Sequence, residues 1–243
     1  AGRAFGEVEE AMSFEIPVPY GRKGMNPSVS LNYSSGAGNG VAGKGFYLAC
    51  EEVITTDTRQ ALPDYVFDQK KSDTYLLNGV LLEREGDSNI FIPRRNPGFC
   101  SAKRIYNDQG KENYWIVTEK AGIKKVFGKY LLNDLENNST QGTGAEIFSW
   151  YLTEESDLFG NTVIYKYKKD RGAVYLSEIK YTGFGKKEGN YRIVFNYETG
   201  RKDVKIDGRS KTLVENRLLL TSIQTSMKVN GSEQIIKSFS FKY

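Results

Sequence analysis

Apolar and polar positions alternate with a period of two along most of this chain. Ser28-Val-Ser-Leu-Asn-Tyr33, Tyr114-Trp-Ile-Val-Thr118, Thr162-Val-Ile-Tyr-Lys-Tyr167 and Tyr191-Arg-Ile-Val-Phe-Asn-Tyr197 place β-branched or aromatic residues at alternate positions. Successive side chains of a strand point to opposite faces, so these runs predict half-buried strands. Helical spacing is almost absent. The best helical stretch is Lys129 to Asn137, and a polar loop is predicted after it, Asn137-Asn-Ser-Thr-Gln-Gly-Thr-Gly144.

Turn signals separate the runs. They are Asn78-Gly79, Gln109-Gly110, Ala121-Gly122, Phe159-Gly160-Asn161, Arg171-Gly172, Asp207-Gly208 and Asn230-Gly231. Asn-Gly and Asp-Gly accept the positive φ that tight hairpins require. In Leu76-Leu-Asn-Gly-Val-Leu-Leu82 two apolar runs flank such a pair, and Tyr75, Leu77, Val80 and Leu82 are expected to supply the cross-strand contacts. The near-start segment from Phe14 to Gly40 reads as strand, loop, strand and glycine-rich turn. The whole pattern predicts an all-β, antiparallel meander of hairpins, with about fourteen to eighteen strands at typical strand lengths.

Composition adds detail. The 243 residues suffice for one large β domain or two small ones. Sixteen Tyr suit strands with one packed and one wet face. The net charge of +4 comes from 34 basic and 30 acidic residues that interrupt one another. Such mixing argues against a nucleic-acid face. No run approaches the length of a membrane-spanning helix, and no signal peptide is visible. Ala1 opens directly on polar residues and Phe239-Ser-Phe-Lys-Tyr243 still alternates, so the chain reads as a fragment of a longer protein. Cys50 and Cys100 are the two cysteines. A secreted protein could bridge them, whereas assembly in a reducing cytoplasm leaves free thiols, the reading we prefer.

Chemistry is sparse. With no His, Ser-His-Asp and Cys-His arrangements are excluded within the chain. Gly38-Asn-Gly-Val-Ala-Gly-Lys44 approaches a phosphate loop, but Gly45 stands where Ser or Thr would bind magnesium, and strand-like residues follow. It reads as a tight structural turn. Asp57, Asp68 and Asp73 lack calcium-loop spacing. Glu51-Glu52, Glu119 and Glu154-Glu155 with Asp157 are the carboxylates a hydrolase would draw on. Asp157 with Gly160-Asn161 reads as a hairpin-shaping group. We assign no catalytic, cofactor or metal residue.

Several blocks carry a family resemblance. Phe14-Glu-Ile-Pro, Asn26-Pro-Ser-Val-Ser-Leu-Asn-Tyr33 and Ser34-Ser-Gly-Ala-Gly-Asn-Gly40 are similar to the opening motif of the SpvB-type domain. Gly43-Lys-Gly-Phe-Tyr-Leu48 follows, with Phe46 where that family usually has Trp. Tyr75-Leu-Leu-Asn-Gly79, Tyr114 to Gly122 with Phe127-Gly128, and Trp150 to Asn161 with Tyr165-Lys-Tyr167 continue the resemblance. The Trp150 block also resembles an Rhs or YD repeat. Tyr175 to Tyr181 and Val194 to Glu198 extend it toward the C-terminus.

The resemblance implies a curved sheet or shell wall related to Rhs/YD-repeat architecture. It implies one SpvB-like domain over 1–243, an N-terminal fragment of a larger protein, with a possible sub-boundary near 137–144. It also implies a non-enzymatic structural or encapsulating part of a secreted bacterial toxin or virulence protein. Expected partners are further Rhs/YD-type repeats of the parent chain or a toxin C-component, with no cofactor, nucleic acid or membrane span. Nothing matches the Ser-Thr-Ser and Glu-x-Glu pattern of the transferase that follows this domain in a family member. The alternative is a surface module that binds glycan or host protein through aromatics such as Tyr20, Tyr47, Tyr65 or Tyr106. A carboxylate hydrolase using Glu119, Glu154 or Asp157 ranks third.

Overall fold

The computed structural model describes residues 11–68, 70–107, 112–129 and 136–243. The described residues hold twenty-one strands and no helix. In chain order they are β1 (Ala11–Glu15), β2 (Ser30–Ser34), β3 (Asn39–Gly40), β4 (Gly43–Lys44), β5 (Phe46–Leu48), β6 (Val53–Thr56) and β7 (Tyr75–Leu77). Next come β8 (Val80–Arg84), β9 (Ile90–Pro93), β10 (Cys100–Tyr106), β11 (Asn113–Glu119), β12 (Lys124–Phe127), β13 (Thr140–Thr143) and β14 (Glu146–Ser156). The last are β15 (Asn161–Asp170), β16 (Ala173–Phe184), β17 (Tyr191–Glu198), β18 (Lys205–Asp207), β19 (Val214–Asn216), β20 (Leu219–Val229) and β21 (Ser232–Ser240). The count exceeds the expected one because β3, β4, β5, β7, β18 and β19 have only two or three residues each.

The all-β, antiparallel expectation holds. From β6 to β12 each strand pairs with the next. β14 then closes an eight-stranded barrel. Its residues Ser149–Tyr151 pair with β6, and Leu152–Ser156 pair with β12 across a bulge. Side chains reinforce the closure: Thr55 and Ser149 hydroxyls lie 2.7 Å apart, and the Thr153 hydroxyl donates to the Val126 carbonyl at 3.0 Å. The far end of β14 pairs with β15, and β15, β16, β17, β20 and β21 continue as an open antiparallel sheet. One long strand therefore belongs to both halves. A small sheet of β1, β2 and β5 adds to the same apolar cluster through Ile16, Leu31 and Leu48. The Tyr181 hydroxyl donates to the Pro19 carbonyl and ties that region to the open sheet.

Turn chemistry explains the hairpins. Asn78-Gly79 has φ of 48° and 82°, Arg171-Gly172 47° and 79°, and Asn230-Gly231 48° and 83°. Two consecutive positive φ values match the right-handed twist of flanking strands. The register Leu77↔Val80 and Tyr75↔Leu82 is the one the Asn-Gly pair predicts. Asp207-Gly208 differs: it opens a longer loop between β18 and β19, not a tight hairpin. Asp207 there accepts from the Arg209 amide. The Gln109-Gly110 turn and most of the Lys129 to Asn137 helical stretch lie outside the described residues. Within the segment read as a polar loop, Thr140–Thr143 instead forms β13 on β14, since backbone pairing tolerates polar side chains on an outer face.

The barrel interior is filled by the inward positions of each strand. Tyr75, Phe91, Trp115 and Trp150 are buried to 2% exposure or less. Their rings meet edge to face, with centroids 5.0 Å apart for Tyr75–Trp115, 5.1 Å for Phe91–Trp115 and 5.8 Å for Trp115–Trp150. This arrangement sets the positive edge of one ring on the negative face of another. Gly128, at φ 72°, lies against Trp150, where any Cβ would strike the indole. Both cysteines are buried free thiols.

Candidate functional site

The carboxylates singled out in the sequence separate into three environments. Glu52, just before β6, and Glu119, at the end of β11, converge on Lys125 of β12, with O···N distances of 2.8 and 2.9 Å. This trio lines a cleft of about 710 Å³ that also takes in Asn78, Phe99 and Cys100. Two carboxylates near one another invite a comparison with glycosidases. That chemistry needs an acid free to donate its proton. Here both carboxylates already accept from one ammonium. Burial works against the charge of Lys125, but Glu52 and Glu119 outweigh it and hold the ammonium above its usual range. Burial, with Glu119 nearby, pushes the Cys100 thiol up, away from a reactive thiolate. The cluster therefore clamps three barrel strands together rather than moving protons.

Glu51 points the other way, to the fork where β14 leaves β6 for β15. It is half-buried. Burial pushes its carboxyl up to about 7, opposed by a bond from the Leu176 amide. The groups in its field are the Cys50 thiol and the phenols of Tyr151, Tyr167 and Tyr197, all held above their usual range by burial first. The Tyr197 hydroxyl donates to the Leu176 carbonyl, and the Tyr167 hydroxyl to that of Leu152. β16 pairs with β17 from Glu178 onward, so side chains satisfy the main chain of Leu176 where the sheet splits.

Asp157 shapes its hairpin, as the Gly160-Asn161 spacing predicts. Its carboxylate accepts from the Phe159 and Asn161 amides and from the Asn161 side chain at 2.8, 2.9 and 2.6 Å. Glu155 faces Lys125, and burial raises its carboxyl. Glu154 pairs across β14 and β15 with Ile164, and nothing brings it to Glu119 and Asp157 as a constellation. Asp57, Asp68 and Asp73 cap separate turns. The phosphate-loop-like glycines form the β3–β4 hairpin, with Gly40 packed against the Phe46 carbonyl.

Of the tyrosines offered as a binding surface, Tyr20 and Tyr47 are exposed. Tyr65 donates to the Ser210 carbonyl at 2.7 Å, and the Tyr106 ring packs edge-on to Phe67. They form no shared platform. A group that sequence reasoning missed is Arg104 on β10, 3% exposed inside the barrel. Its guanidinium lies 4.4 to 5.5 Å from the rings of Phe67, Tyr75, Tyr106, Trp115 and Trp150. The signal was present: Cys100, Ala102 and Arg104 share one face of an alternating strand whose other members face inward.

A barrel welded through one shared strand to an open antiparallel sheet defines an all-β domain with a structural core and no assembled acid–base site among the described residues. The family model for the Salmonella virulence plasmid 65kDa B protein, SpvB, matches residues 7–190. The chain belongs to the SpvB family. It is 27% identical over 207 residues to Mono(ADP-ribosyl)transferase SpvB of Salmonella choleraesuis strain SC-B67 and of Salmonella enteritidis. Those alignments cover 70% of this chain and 34% of the relatives, so the chain spans about a third of their length. The fold is similar to the N-terminal domain of SpvB from Salmonella typhimurium strain LT2, at TM-score 0.77 and 16% identity, covering 94% of this chain and 99% of that one. It is also similar to a chain of the TcdB2-TccC3-Cdc42 crystal structure, at TM-score 0.80 and 15% identity, covering 96% of this chain and 14% of that one. A chain of the Photorhabdus luminescens Tc holotoxin pore gives TM-score 0.81 and 18% identity, covering 96% of this chain and 14% of that one.

Proposed function

We propose that this domain is a non-enzymatic structural, encapsulating part of a secreted bacterial toxin or virulence protein. The observation that carries the reading is the edge of the open sheet. β21 pairs with β20 on one side, its residues are almost all exposed, and Ile235 and Ile236 are 64% and 49% exposed. Among the described residues no strand covers its other side. A nine-residue edge that exposes isoleucines is an aggregation hazard unless something pairs with it. Further Rhs/YD-type strands of the parent chain, or a toxin C-component, would cover it and carry the sheet onward into a wall. The similarity to Tc toxin chains several times longer supports this reading, as does the use of the carboxylates as clamps and turn caps.

The test has two arms. The purified chain should show no NAD hydrolysis and no ADP-ribosyl transfer. In a parent chain extended beyond Tyr243, hydrogen exchange at the outward amides of β21 should slow by at least about tenfold relative to the 243-residue chain. Turnover by the purified chain, or unchanged exchange in the extended one, overturns the proposal.

A further inference from the structure

Arg104 is a buried guanidinium with no carboxylate bonded to it among the described residues. Its protein acceptors are neutral: the Tyr75 hydroxyl and, at 3.0 Å, the Asn113 side-chain carbonyl oxygen. Tyr75 does not serve as a counter-ion, because burial raises its phenol and keeps it protonated. Asp73 lies within electrostatic reach and offsets part of the charge, but it is not bonded to the guanidinium: its two oxygens accept from the Asp64 and Tyr65 amides, each at 2.9 Å. A lone charge taken out of water is costly, and the ring faces around it offset only part of that cost.

Two donors in the barrel interior have no protein acceptor, Arg104 Nε and the indole Nε1 of Trp115. Arg104 and Trp115 are direct partners across β10 and β11, and the guanidinium carbon lies 5.5 Å from the indole centroid. They are 3% and 0% exposed. An acceptor within reach of both nitrogens would satisfy both. A water would satisfy the hydrogen bonds but add no counter-charge beside the guanidinium, whereas a small anion supplies both.

We propose that the barrel holds a monatomic anion of the halide class, bound by Arg104 Nε–H and Trp115 Nε1–H. The probes are bromide and chloride. Crystals of the chain soaked in bromide should give an anomalous peak within hydrogen-bond distance of both nitrogens. Melting temperature should rise and saturate with sodium chloride, measured against sodium gluconate at equal ionic strength. Trp115→Phe keeps an aromatic ring and removes the N–H, so half-saturation should move to about tenfold higher chloride, the cost of a hydrogen bond to a charged group. Arg104→Lys keeps the charge and removes Nε, and should shift it likewise. The comparison reads the chloride dependence of each variant, so a lower starting stability leaves it valid. A water or a protein group at that place without anomalous signal overturns the site. So does equal stability in chloride and gluconate, or a chloride dependence that both variants leave unchanged.

Discussion

The barrel and the open sheet share β14 and are built from the same alternating strands, yet they differ in what their edges and interiors must do. In the barrel, β6 and β12 both find β14, so no strand edge is left over. Its interior takes bulky rings and one arginine. The open sheet ends at β21, whose side chains are mostly in solvent, and its outer surface is laced by ion pairs such as Arg192–Glu233 at 2.9 Å and Lys180–Glu188 at 2.7 Å. Exposed pairs of this kind stabilise little. The comparison teaches that closure leaves the barrel with no free edge, while the open half, whose inner side chains join the same apolar cluster, keeps an edge available.

The largest test of that contrast removes an interior ring. Trp115→Ala should destabilise the chain by about 3–5 kcal/mol, the usual cost of emptying a buried aromatic site, read from urea melts. A loss below about 1 kcal/mol would mean the ring cluster is not what holds the barrel together.

The second concerns the fork between the halves. The Glu51 carboxyl is raised from the ordinary 4.5 to about 7. The folded state then keeps its proton to higher pH than the unfolded state does. Its contribution is fully present below about 4.5 and is lost as pH rises through 7. No charged group in its immediate field opposes this, since the neighbouring thiol and phenols are neutral there. Stability should therefore fall by about 1–3 kcal/mol between about pH 4.5 and 8, the upper figure being the full shift and solvent at this half-buried carboxyl reducing it, and Glu51→Gln should flatten the profile. Asp57, Asp170 and Asp207 are held below the usual range by Arg59, Arg217 and Arg209, and act in the opposite sense only at lower pH.

A smaller effect is expected at the hairpin that starts the barrel. Replacing Asn78-Gly79 by Ala-Ala puts side chains that resist positive φ into both turn positions. It also removes the Asn78 carbonyl oxygen that accepts the Val53 amide at 2.9 Å. The expected cost is about 1–2 kcal/mol, and an unchanged urea midpoint would refute the role given to the turn. The smallest effect should come from the open edge. Ile235→Lys should change the stability of the isolated chain by less than about 0.5 kcal/mol while slowing its assembly with the strands we propose to cover that edge. Equal assembly of both forms would show that this edge is not the junction.

The strands of both halves were legible because they are written locally. Alternation marks which residues share a face, and a two-residue turn dictates the register of Leu77 with Val80 without reference to anything distant. Asp157 with Gly160-Asn161 was readable for the same reason. The clamp was only half legible: Glu52 and Glu119 could be named as carboxylates, but Lys125 lies 73 residues from Glu52 and no local spacing joins them. Arg104 was missed because a charge in a strand ordinarily faces water, and only enclosure by five rings reverses that expectation.

The sequence by itself thus determined an all-β chain, its hairpins and its lack of a histidine-based site. The tertiary structure alone decided that β14 closes the barrel, with Ser149 meeting Thr55 across 94 residues, that Glu51 is half-buried among phenols and that Arg104 is removed from water. The physical reason is that turn and strand preferences act over a few residues. Backbone edges carry no label of their partner, and the state of a charge depends on whatever the folded chain places around it.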